Sequence, residues 1–242
     1  MTVCLVRQDS LSDQSSRQDP HRTDTNWMTD FQQLAARQSV LSRAVLVQQQ
    51  AALLGPAGQL ARFSRLVREQ ARQAPVFQDL ERLQDRKRKS LAEQAMLFAL
   101  GALGAFGRRP PADNPFCRMA REYLCCVIFD DTGLYTLVER YAAAEALKYG
   151  DSQYFAKLIA TTRNTVERRI VFHGLLEHFD RLLPIEKSIY PLDYRSAQQA
   201  HLDHEESLYG KLELKQPISV IFETREPQWL LDHLPELQRA VS

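Results

Sequence analysis

The chain has 242 residues, 44% hydrophobic, 25% charged and 9% aromatic, with a net charge of +1. Those proportions belong to a globular chain and exclude collagen, wholesale disorder and a disulfide scaffold. The near-zero total hides a split: residues 28–112 carry 13 Lys and Arg against 6 Asp and Glu, and residues 113–242 carry 15 against 20.

Residues 7–26 are rich in Ser, Asp, Gln, Arg and Thr and hold a single Leu, so residues 1–27 read as a disordered arm. Met28 follows directly, which leaves a misassigned start or an unfolded export signal as the other readings of the arm. From Thr29 or Asp30 a helix is expected to run to Leu54, where Gly55-Pro56 breaks it. A second helix fits residues 57–73, with Leu60, Phe63, Val67 and Ala71 on one stripe. A third begins near Val76 and leads into the run Arg86-Lys87-Arg88-Lys89. A fourth either starts at Ser90 or continues the third to Gly101. Residues 28–106 thus form a basic helical hairpin or bundle.

Pro110-Pro111 forbids helix and makes residues 107–115 the expected linker. Beyond it, helices are expected over 116–129 and 134–149, the latter stopped by Gly150 as a left-handed cap. A further helix is expected over 151–183 and another over 194–209. Residues 212–224 are β-branched and aromatic around Pro217, which reads as one or two short strands, part of them at an edge, with residues 218–224 paired to 212–215 as a small hairpin or else added to a sheet in another chain. A last helix fits 227–241. The fold class is therefore mainly α, a multi-helix bundle, with an acidic domain over 116–242 that carries a small β element.

The four cysteines, Cys4, Cys117, Cys125 and Cys126, form no CxxC pair, and they read as thiols of a reducing cytoplasm. The longest apolar run, residues 95–106, is too short to span a bilayer, so no transmembrane segment is expected. The usage of Gln, Arg, Ala and Leu suggests a GC-rich bacterial genome.

No motif fixes a chemistry. There is no Gly-x-Ser-x-Gly, no His-Glu-x-x-His and no phosphate loop, and nothing calls for a cofactor. Gly101, Gly104 and Gly107 lie in an apolar context that favours close helix packing. Arg62, Arg65 and Arg68 recur at helical spacing, and with Arg86, Lys87, Arg88 and Lys89 they make a basic face. Such a face suits an acidic protein partner or self-association, and alternatively a phosphate backbone. The bland reading is a solvated helix face near a helix C-terminus, where the dipole favours cations. His173 and Glu177, and likewise His201 and Glu205, stand four apart. On facing helices those four could hold a metal in a helical metal-dependent enzyme. The expected function is a non-enzymatic helical protein-interaction or regulatory (adaptor) module.

Overall fold

The computed structural model describes residues 27–105, 112–161 and 168–239, with side chains described up to residue 233. The expected arm and residues 107–111 of the expected linker lie outside them. The chain is mainly helical: eleven α-helices and two 3-10 helices, with no strand among the described residues. It divides into two compact units, Met1–Val40 with Gln48–Tyr149, and Leu41–Val47 with Gly150–Ser242.

The first unit begins with α1 (Trp27–Ser39) and takes in the second half of α2 (Arg43–Leu54). One helix was expected across both. The chain breaks at residues 40–42, and the Ser42 hydroxyl accepts the Val45 N–H at 3.4 Å, so a local side-chain bond competes with helix continuation. The turn after α2 brings Gly58 so near that a Cβ there would lie 2.7 Å from the Leu53 carbonyl oxygen. In α3 (Gln59–Gln70) the buried residues Leu60, Phe63 and Val67 fall on one stripe, as the periodicity predicts. Two 3-10 helices follow, Ala71–Gln73 and Pro75–Arg82, and bury Phe77 and Leu80. Phe63 meets Phe77 edge-on at 6.0 Å and Tyr141 at 5.0 Å, which makes Phe63 the centre of this core.

A separate helix, α4 (Arg86–Ala102), then starts behind Asp85, whose carboxylate accepts the Arg88 N–H at 2.8 Å. The expected helix over 116–129 is shortened to α5 (Arg121–Ile128). Buried Asn114 accounts for the difference: it accepts the Phe116 N–H at 3.0 Å and donates to the Ala142 carbonyl at 2.8 Å, holding residues 114–116 as a turn. Thr136 and Glu139 open α6 (Leu137–Ala160) with a reciprocal capping box; the Glu139 carboxylate accepts the Thr136 N–H at 2.8 Å.

Gly150 does not stop this helix. It lacks the positive φ of a left-handed cap, and α6 continues through it to Ala160. A mid-helix glycine costs only about 1 kcal/mol; burial of Leu158 in the second unit's core favours the continuation. The expected helix over 151–183 is instead the end of α6 and α7 (Arg168–Arg181), with residues 162–167 outside those described.

The second unit continues with α8 (Pro184–Lys187), α9 (Tyr194–Tyr209), α10 (Ile218–Thr224) and α11 (Pro227–Arg239). Its packing is dominated by α7 against α9, then α7 against α10. Leu158, Ile170, Leu212, Ile218, Ile221, Phe222 and Leu230 form its core. The expected β element is absent among the described residues: residues 218–224 are helix, and residues 211–214 are neither helix nor strand. The reason is tertiary. Glu177 on α7 accepts the Ile218 N–H at 2.7 Å and the Ser219 N–H at 3.0 Å, and so caps α10. Ile218, Ile221 and Phe222, spaced i, i+3, i+4, then bury one helical face, and this outweighs β propensity.

Cys125 and Cys126 are not in disulfides, and Cys125 is buried. Burial pushes the Cys126 thiol up to about 12, which keeps it protonated.

Candidate functional site

The basic residues singled out from the sequence all lie in the first unit, on α3 and α4, which pack against one another. Arg62, Arg65 and Arg68 are exposed, on the side of α3 away from Leu60, Phe63 and Val67. Among the described residues none of the three has an ion-pair partner, although Arg68 lies close enough to act on the buried Tyr141 phenol. Burial pushes that phenol up, Glu145 adds to the rise and Arg68 opposes it.

The run Arg86-Lys87-Arg88-Lys89 occupies the first turn of α4, which contains no acidic residue. A C-terminal position had been the bland explanation for this run, and the position is the opposite one. Cations at a helix N-terminus face the positive end of the dipole, each at a cost of about 0.3–1 kcal/mol when exposed. Arg88 has local compensation. Its guanidinium donates to the Leu134 carbonyl at 2.7 Å and to Glu139, whose side chain is 0% exposed, at 3.1 Å, and it lies 5.0 Å from the Tyr135 ring. Arg86 and Lys87 are exposed, Lys89 is half-buried, and none of the three makes an ion pair among the described residues. The seven basic residues therefore separate into one internal strut, Arg88, and six cations with no acidic partner among the described residues.

The histidine and glutamate pairs lie in the second unit and serve different partners. His173 and Glu177 both line an open cleft of about 800 Å³ between α7, α9 and the segment after α9. Glu177 is engaged at the N-terminus of α10, where Ser219 adds a hydroxyl bond to the two backbone ones. His173 Nε2 lies 3.4 Å from Glu206, without hydrogen-bond geometry. Glu205 pairs with Arg168 at 3.3 Å, and His201 stacks on Phe172 at 5.4 Å. Glu206 was missed from the sequence. It follows Glu205 directly, and only the packing of α9 on α7 selects it to face His173. Among the described residues no three His, Cys, Asp or Glu side chains come together as a ligand set.

Arg169 completes the pattern. Buried on α7, it donates to the carbonyls of Tyr209 at 3.0 Å and Gly210 at 2.7 Å, at the end of α9. Arg169, His173 and Glu177 thus run along one stripe of α7, with the cation at a helix C-terminus and the carboxylate at a helix N-terminus, both favoured by the dipoles.

No protein-family model, curated protein or solved structure matches the chain. Among the described residues, no helix is long and apolar enough to cross a membrane.

Proposed function

We propose that this chain is a non-enzymatic helical protein-interaction module, regulatory or adaptor in kind, that docks an acidic protein partner on Arg62, Arg65, Arg68, Arg86, Lys87 and Lys89. One observation carries the reading: three cations with no acidic partner among the described residues sit in the first turn of α4, where they work against the helix. Residues that break a local rule without compensation mark function more often than stability. Arg88 drops out of the docking set because Glu139 and Leu134 hold it. Docking of this kind depends on charge, so the basic face sets association rate and partner choice more than affinity.

The test is cross-linked capture from the native cell with a tagged chain, beside a variant carrying Arg62→Glu, Arg65→Glu and Lys87→Glu. The reading expects a stoichiometric protein partner that the variant loses. A labelled duplex retarded at ~50 mM salt, with no partner specific to the unchanged chain, would move the assignment to nucleic acid. Identical captures from both chains would end it.

A further inference from the structure

Ser90 follows directly on the run Arg86-Lys87-Arg88-Lys89 in α4, and it is exposed. Its oxygen accepts the Gln94 side-chain amide at 3.4 Å, a long and weak bond. Its O–H has no acceptor among the described residues. Other exposed serines spend theirs: Ser39, Ser196 and Ser207 each donate to the carbonyl three residues back, at 2.8, 2.9 and 2.7 Å. The Ser90 hydroxyl is thus open to solvent and free to react. Gln84, Asp85, Arg86 and Lys87 ahead of it are exposed as well, so an enzyme that reads the chain toward Ser90 meets surface and not core.

On a helix, residues three and four apart are neighbours. Ser90 therefore shares a side of α4 with Arg86 and Lys87 before it and with Glu93 and Gln94 after it. Arg86, Lys87 and Glu93 are exposed, and none of them makes an ion pair among the described residues. Arg88 is held by Leu134 and Glu139 and takes no part. Two free cations thus stand against one carboxylate. A phosphoserine carries about −1.5 to −2 charge at neutral pH and three acceptor oxygens. It competes better than the single charge of Glu93 for Arg86 and Lys87, through charge-assisted hydrogen bonds. Both cations belong to the basic face, so a phosphoryl group on Ser90 would take them out of it.

We propose that Ser90 is a phosphorylation site, modified by a protein kinase whose acidic substrate groove reads Arg86 and Lys87, and that the phosphorylated side chain engages these two cations and releases the acidic partner. In the modification, Ser90 Oγ attacks the γ-phosphorus of a nucleoside triphosphate bound to the kinase. The new Oγ–P bond forms as the bond from that phosphorus to the bridging oxygen breaks; the hydroxyl proton passes to a base of the kinase and the nucleoside diphosphate leaves. The release of the partner rests on the docking reading above, and the modification of Ser90 does not.

The experiment isolates the tagged full chain from its native cells under phosphatase inhibitors and treats half of it with a phosphatase. Both halves are mapped by mass spectrometry and used to capture the partner, beside Ser90→Ala and Ser90→Thr chains handled in the same way. The expected result is one phosphoryl group on Ser90, kept in Ser90→Thr and lost in Ser90→Ala. Phosphatase treatment should strengthen capture about tenfold as two cations return to the face, and it should change nothing in Ser90→Ala, whose melting temperature stays that of the unaltered chain. Absence of phosphate at Ser90, or an equal gain on phosphatase treatment in Ser90→Ala, would overturn the proposal. Unchanged capture, while Arg62→Glu with Arg65→Glu and Lys87→Glu still loses the partner, would overturn the regulation and leave the docking reading standing. A partner kept by that triple variant would instead end the docking reading, and phosphate mapped to Ser90 would still support the modification.

Discussion

The guanidinium of Arg88 lies 3.1 Å from the carboxylate of Glu139, a residue with no exposed side-chain surface. The sequence places these residues on opposite sides of the charge split, yet one compact unit holds both. Glu139 also accepts the N–H and hydroxyl of Thr136, so the pair joins the start of α4 to the start of α6. Removing the half-buried Arg88 leaves the buried Glu139 carboxylate without its cation. Arg88→Met should therefore cost about 3 kcal/mol of stability, read as a lower urea midpoint at unchanged slope. Capture of the acidic partner should survive in the fraction that stays folded. A loss of partner with full stability would return Arg88 to the docking surface.

Lys87 presents the opposite balance. It is exposed at the positive end of α4 and has no acidic partner among the described residues. Lys87→Glu should stabilise the chain by about 0.3–1 kcal/mol through the helix dipole while weakening capture of the acidic partner. Thermal melts beside the capture assay check this. A variant that is both less stable and fully competent to bind would contradict the assignment on both counts.

The helices most legible in the sequence were those whose burial is strictly periodic. Leu60, Phe63 and Val67 announce α3, and residues 194–209 read as helix from end to end. The errors came where a distant residue decides. Residues 218–224 contain Ile, Val, Ile, Phe and Thr after Pro217, which is strand chemistry by local preference. A carboxylate some forty positions earlier, Glu177, caps them into helix. Gly150 looks like a stop, but the core contact that carries α6 past it is made by Leu158 eight residues on. For the candidate site, the identities of the exposed arginines were readable from spacing. The internal duty of Arg88 and the facing of His173 by Glu206 were not, because both depend on which helices pack together.

Glu177 gives a direct check on that override. Glu177→Gln removes the anion from the N-terminus of α10 and keeps the shape. The amides of Ile218 and Ser219 should exchange faster with solvent, with a loss of about 1–2 kcal/mol for the weakened cap. The α7–α9 pairing, held by Arg169 and the apolar contacts, should keep its protection. Uniform loss of protection across the second unit would mean that Glu177 supports the whole unit rather than this helix.

Gly174 sits where α7 meets α6. A Cβ there would fall 2.4 Å from Leu158 Cδ2 and 3.0 Å from the Tyr154 hydroxyl, which donates to the Gly174 carbonyl at 3.0 Å. Leu158 is 2% exposed and packed in the second unit's core, so a shift of its methyl groups would disturb that packing. Gly174→Ala should gain about 1 kcal/mol of helix preference and lose about 1–3 kcal/mol to overpacking. The balance is a destabilisation seen in calorimetry. An unchanged or raised melting temperature would show that this packing is looser than the distances imply.

The Arg37 guanidinium grips Asp131 with two bonds of 2.8 Å, tying α1 to the turn after α5. Hydrogen bonding from Arg37 holds the Asp131 carboxyl below the usual aspartate range. A carboxyl whose folded value is depressed stabilises the fold above its unfolded value and loses that contribution as the pH falls through the folded one. The unfolded value is near 3.9, at about the model-peptide aspartate, so the loss should appear below about pH 4. The two side chains are 47% and 46% exposed, and solvent screening keeps the contribution under about 1 kcal/mol. Asp131→Asn should lower the urea midpoint slightly at pH 7 and leave it unchanged relative to the unaltered chain near pH 2. If the two chains differ as much in acid as at neutrality, the difference comes from packing of the turn and not from the ion pair.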